Sequence, residues 1–252
     1  MFARKKHDSK KRRELFDGVG YYTNWEKGRP SGCIYCGKPA ETREHIPSKS
    51  LLIGPFPENL STIPACFECN NGFTADEECF VCFLELQKSM VYGNYSISKH
   101  ANDILAKKES LHRLIESQIS SKGSYIYPSF DTKRFKRIIT KLAIGHVGYE
   151  YDDLNFAGAT NLWFQFAPNI SGEYKAEFES PKLLDVIPEI SSRFSCNACI
   201  IQNANNGETL ALSDWITVQE QRYSYNVSLN DSGGVSVKMI ILDFLYCQVD
   251  FD

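Results

Sequence analysis

Two C-x-x-C pairs, Cys33-x-x-Cys36 and Cys66-x-x-Cys69, with 29 residues between them, constrain this chain more than any other feature. The stretch that holds them, "GRPSGCIYCGKPAETREHIPSKSLLIGPFPENLSTIPACFECNNGF", is dense in Gly, Pro, Ser and Asn and shows little helical period. Such a segment cannot bury enough apolar surface to hold itself together. Four thiolates in two such pairs supply the closed tetrahedral sulfur shell that structural zinc takes, at Zn–S distances near ~2.3 Å. An ion held this way contributes about 10–16 kcal/mol of apparent binding energy to folding. The gap between the pairs exceeds the roughly 15–20 residues of a plain ribbon, which marks the residues inside it as a functional insertion.

Five further cysteines bring the total to nine. Cys79 and Cys82 fall on a predicted helix, where i and i+3 share a face with Phe83 and Leu86, so core packing is their expected role. Cys196 and Cys199 have no second pair beside them and are read as structural. No export signal and no run of eighteen apolar residues is evident, so a cytoplasmic location and the absence of a membrane partner are expected. In that setting C-x-x-C spacing reads as metal binding before disulfides, and no βαβ pattern surrounds the pairs to support thiol redox chemistry.

At 252 residues and 42% hydrophobic, the chain can build one large core or two small ones. The Thr74-x-x-Glu77 capping-box spacing ahead of "CFVCFLELQKSMV" predicts a helix starting near Ala75. Two more helices are predicted, over "ANDILAKKESLHRLIESQI" and "DTKRFKRIITKLAIGHVGY". From about Asn161 the pattern turns to alternation, with Leu162, Phe164 and Phe166, an Asn206-Gly207 hairpin signal, and "YSYNVSLNDSGGVSVKMIILDFLYCQV" as strands around a Gly-rich turn. The expected class is α+β. It comprises a basic arm and lead-in over 1–30, a small zinc-stabilised domain over 31–96, and a helical connector with an antiparallel sheet over 97–252. The last part is the candidate for recognition or partner binding.

The order of residues between and beyond the cysteine pairs carries a second signal: Glu44-His45-Ile46-Pro47, then Pro57-Glu58-Asn59-Leu60, then Asn70 directly after Cys69. This resembles the HNH endonuclease family, whose zinc-braced members follow a C-x-x-C, D-H-x-x-P, N-L, C-x-x-C-[HN] order. The resemblance covers about residues 31–80. It implies a ββα-metal site in which His45 is the general base, Glu44 and Asn70 hold a catalytic Mg²⁺ or Mn²⁺, and Asn59 orients the histidine's loop. Glu44 stands where Asp is commoner and Asn70 where many members have a histidine, and both keep an oxygen donor. Asn71 is the alternative to Asn70 if the turn is shifted by one residue.

The chemistry suits these residue types. Water attack on a phosphodiester needs a base that titrates near working pH, which histidine alone offers unperturbed. Negative charge gathers on the phosphorane and the leaving oxygen, and a hard divalent ion with oxygen ligands stabilises it. A lone histidine is more often a hydrogen-bonded structural one, and the setting of His45 is what sets it apart. The acids Asp76, Glu77 and Glu78 either lend a carboxylate to the ion or complement a helix N-terminus.

Residues 1–75 hold 12 Lys/Arg against 8 Asp/Glu in a chain of net charge −3. The segment "ARKKHDSKKRR", with Arg43 and Lys49, is either a solvated tail with two neighbours or an electrostatic footprint for nucleic acid. DNA is the expected partner, with RNA open, and residues 97–252 are where an oligomer contact or regulatory partner is expected. By analogy the chain suits restriction or anti-phage defence. The competing function is a zinc-braced binding module for nucleic acid or protein, without catalysis.

Overall fold

The computed structural model describes residues 32–119, 121–122, 125–126, 132–151, 159–184, 198–202, 205–207, 209–230 and 233–251. The basic arm, His7 and Cys196 lie outside the described residues. The chain is α+β, with antiparallel sheets.

Strands β1 (Thr42–His45) and β2 (Thr62–Ala65) form an antiparallel pair in the register Glu44↔Ile63 and His45↔Thr62. Helix α1 (Phe67–Gly72) follows, and after Phe73 the chain enters α2 (Thr74–Val91). Phe73 takes the N-cap position of α2 without a side-chain cap, and Thr74 is already helical. The expected capping box does not form because Glu77 is drawn sideways to Ser48 and Lys141 instead of back to its own helix end.

The single helix expected over 101–119 is two, α3 (Lys99–Lys107) and α4 (Glu109–Gln118), broken at the non-helical Lys108 (φ −121°, ψ 69°). The break turns both helices onto α2. Ala101, Ile104 and Leu105 are buried from α3 and Ile115 from α4, whereas Leu114 is left exposed. A short pair, β3 (Ser121–Lys122) and β4 (Tyr125–Ile126), precedes α5 (Thr132–Glu150). Phe135, Ile138, Ile139, Leu142 and Ala143 recur at helical spacing and are all buried.

Helix α5 lies on a five-stranded antiparallel sheet, β5 (Ala159–Phe166), β12 (Leu245–Phe251), β11 (Val235–Ile241), β10 (Tyr223–Leu229) and β9 (Ile216–Gln219), in that spatial order. Alternation places Val237 opposite Val249 and Met239 opposite Cys247, all fully buried. A three-stranded sheet, β6 (Lys182–Leu184), β8 (Thr209–Ser213) and β7 (Ala198–Gln202), completes the architecture, and β7 and β8 pair across the predicted Asn206-Gly207 turn. Helix α6 (Gly172–Glu179) seats Phe178 against Trp163, Trp215 and Tyr246.

One buried apolar cluster runs from Cys33 to Phe251. The loop after β1 is clamped to the sheet, where Gln219 donates to the Ile53 carbonyl at 2.7 Å and accepts from the Ile53 amide at 2.8 Å. Arg222 reaches between β10 and α2, donating to Glu85 at 2.8 Å and to the Leu51 carbonyl at 3.1 Å.

Candidate functional site

The four predicted cysteines come together. Sγ atoms of Cys33, Cys36, Cys66 and Cys69 all lie within 4.8 Å of one another, and Cys36 and Cys66 are 3.5 Å apart. Each pair sits on a tight turn. The first folds by Cys36 and Gly37 amides donating to the Cys33 carbonyl at 3.2 and 2.7 Å, and Gly37 takes φ +67°, which a residue with a side chain adopts only at a cost. The second opens α1, where Cys66 is the N-cap and its sulfur accepts from the Cys69 amide. The Ile34 amide donates to the Pro64 carbonyl at 3.1 Å, so the first turn is stitched to β2.

Hydrogen bonding to Cys36 holds the Cys33 thiol pKa up to about 12, bonds to Cys33 and Cys36 push Cys69 higher, and Cys36 falls far below the usual thiol range as their shared acceptor. Four sulfurs converging within 4.8 Å from two tight turns, three of the four cysteines buried, fit zinc, which would be held by all four. Cys79 and Cys82 are buried in the core, as expected, and Cys199 is exposed on β7. Among the described residues no other group of three or more His, Cys, Asp or Glu converges.

Strand β1 runs beside this cluster and carries Glu44 and His45 on opposite faces. His45 is half-buried, and among the described residues no side chain hydrogen-bonds its ring. Burial and the nearby Lys49 charge hold its imidazole below the ordinary value of 6.5 and so favour the neutral, proton-accepting form. Arg43, on the same face of β1, and Lys49 are exposed. Asn59 sits exposed in the turn closed by the Leu60 amide on the Pro57 carbonyl, with no described hydrogen bond to His45. Asn70, on α1, is brought to the Glu44 face of β1, where its amide donates to Thr42 Oγ1 at 3.0 Å. Asn71 instead donates back to the Phe67 carbonyl of its own helix.

Glu44 is buried and already has a cation. Lys141, from α5, is fully buried and bridges Glu44 and Glu77, standing 2.5 Å from the latter and donating to Ser48 Oγ at 2.6 Å. Burial drives the Glu44 carboxyl upward against the pull of Lys141 and of the Tyr35 phenol. Burial works against the Lys141 ammonium too, and the two carboxylates outweigh it, keeping it charged. Lys141 thus takes one oxygen of Glu44, and Asn70 spends its NH2 on Thr42, so a cation already stands where the catalytic ion was expected.

The neighbouring acids are paired the same way: Asp76 with Arg134 at 3.0 Å and with Arg137, and Glu78 with Lys108. Ser48, Glu77 as a partner of Glu44, and Lys141 were not legible as site residues from local motifs. The available signal was Arg134, Arg137 and Lys141 recurring on one stripe of a predicted helix, matching the acidic run Asp76-Glu77-Glu78 in charge. Comparison with known protein families, with curated proteins and with solved structures finds no match. What the fold and the site define is thus an α+β protein with a four-cysteine cluster suited to zinc, bracing a hairpin that presents a histidine.

Proposed function

We propose that the chain is a nuclease of the HNH type that hydrolyses nucleic-acid phosphodiester bonds at His45, with DNA the expected substrate. The observation that carries this reading is His45 itself, half-exposed and biased to its neutral form on a hairpin held by the four-cysteine cluster. A neutral imidazole open to water is what a general base needs. Arg43 and Lys49 on the exposed side supply positive charge for the phosphate backbone. Mg²⁺ or Mn²⁺ is the ion the family resemblance brings. Restriction or anti-phage defence is the setting that resemblance suggests, and two-strand cleavage would call for two copies or a partner acting through residues 97–252.

A second reading has its own observation. The commitment of Glu44 to Lys141 favours a zinc-braced nucleic-acid-binding module without catalysis. Incubating plasmid and single-stranded DNA or RNA with the protein in Mg²⁺, Mn²⁺ or neither, with His45→Ala as control, separates the two. Cleavage lost in His45→Ala with binding retained supports the nuclease. Binding without cleavage under every condition supports the module.

A further inference from the structure

We infer that Lys141 is the resident cation of the Glu44 and Glu77 carboxylates and excludes a divalent ion from Glu44. The inference rests on reading β1 as the HNH-type strand, and it assigns α5 a part in that site which no local motif carries.

The geometry commits one oxygen of Glu44 to Lys141 and leaves Oε2 buried without a hydrogen-bond partner. A lysine ammonium has three N–H donors and no acceptor, and here three acceptors surround it: Glu44, Glu77 at 2.5 Å and Ser48 at 2.6 Å. Ser48 donates in turn to Glu77 at 2.5 Å, so the ring is closed. The Phe73 ring covers the group 5.6 Å away, and nothing of Lys141 reaches solvent. An ion at Glu44 would have to sit on Oε2 beside a buried ammonium, or displace that ammonium and strand it, and either is costlier than displacing water.

The rest of the stripe shows why Lys141 stays. Arg137 and Arg134 hold Asp76 on the same faces of α5 and α2, and Arg137 lies over the Phe73 ring at 4.8 Å. Lys141 is thus the buried end of a row of cations aligned with the first turn of α2. Two carboxylates around one ammonium retain a net negative charge, so removing the ammonium leaves an oxygen-rich site that a hard divalent ion would fill. Any hydrolysis at His45 then proceeds without an ion on Glu44.

Mn²⁺ uptake by the zinc-loaded full chain, followed by electron paramagnetic resonance, tests this. Wild type and Glu44→Gln should take up Mn²⁺ equally. Lys141→Met should gain a site that binds Mn²⁺ about tenfold tighter or better, raises its melting temperature with added Mn²⁺ where wild type shows no rise, and is lost in Lys141→Met/Glu44→Gln. Mn²⁺ held by wild type and lost in Glu44→Gln overturns the inference. So does a folded Lys141→Met that binds no tighter than wild type. If Lys141→Met does not fold, wild type against Glu44→Gln decides between the two outcomes by itself. Failure to cut any nucleic acid would fall on the nuclease reading and leave these binding results standing.

Discussion

Cys66 has two jobs at once: a sulfur within the four-cysteine cluster and the N-cap of α1. Cys66→Ser can still cap the helix but cannot complete a soft-ligand shell. We therefore expect one zinc per wild-type chain by metal analysis, and loss of that zinc in Cys66→Ser with melting of β1, β2 and α1 by amide exchange. Wild-type protein purified without chelator and free of zinc would remove this role. These four cysteines could be read directly, because C-x-x-C spacing is a local constraint on geometry. The role of His45 is implied by the family resemblance, and the fold places it on β1. Lys141 could not be read, since its meaning depends on a helix folding back from the other half of the chain.

Among the elements, α5 shapes the hairpin through a glycine as well as through Lys141. A Cβ on Gly145 would stand 2.3 Å from Ile46 Cδ1 and 2.8 Å from Cγ1, so the buried Ile46 side chain would have to shift within the core. Gly145→Ala should lower stability in urea by about 1–3 kcal/mol and shift the NMR resonances of His45, the neighbour of Ile46. A variant as stable as wild type with an unmoved His45 signal would show that the contact yields freely. Helix periodicity revealed α5 in full, because its apolar stripe is continuous. It merged α3 and α4, because the break at Lys108 comes from packing on α2 and from the Lys108 to Glu78 pair, and a Lys-Lys-Glu run carries no breaker residue. It also read Thr74 to Glu77 as a capping box, because a local rule cannot foresee that Ser48 and Lys141 compete for the same carboxylate.

Across the whole molecule, a single apolar cluster joins the cysteine-bearing segment to the sheet, and the buried Glu85 to Arg222 pair spans the join. Burial works against the Glu85 carboxylate, but Tyr95 donating at 2.7 Å and the Arg222 charge outweigh it, so its pKa lies below the ordinary 4.5. A carboxylate depressed on folding stabilises fully above its unfolded value and loses that contribution as pH falls through the folded one. Stability in urea should therefore decline as pH drops below 4.5, and Glu85→Gln, weaker at neutral pH, should decline less steeply. Parallel curves would place the acid sensitivity elsewhere. The α+β class and the strands β5, β10 and β11 could be read from alternation, whereas the join could not, since Glu85 and Arg222 lie 137 residues apart.

The contacts that α5 makes on either side of His45 bear on how such a hairpin can be inherited. Lys141 grips Glu44 and Gly145 admits Ile46, so a segment cut out at residues 31–96 and grafted elsewhere would take its cysteines along and leave behind the helix that neutralises and seats its key strand. The strand belongs jointly to both halves of the chain, and a working exchange of hairpins between proteins of this build would have to exchange α5 with them.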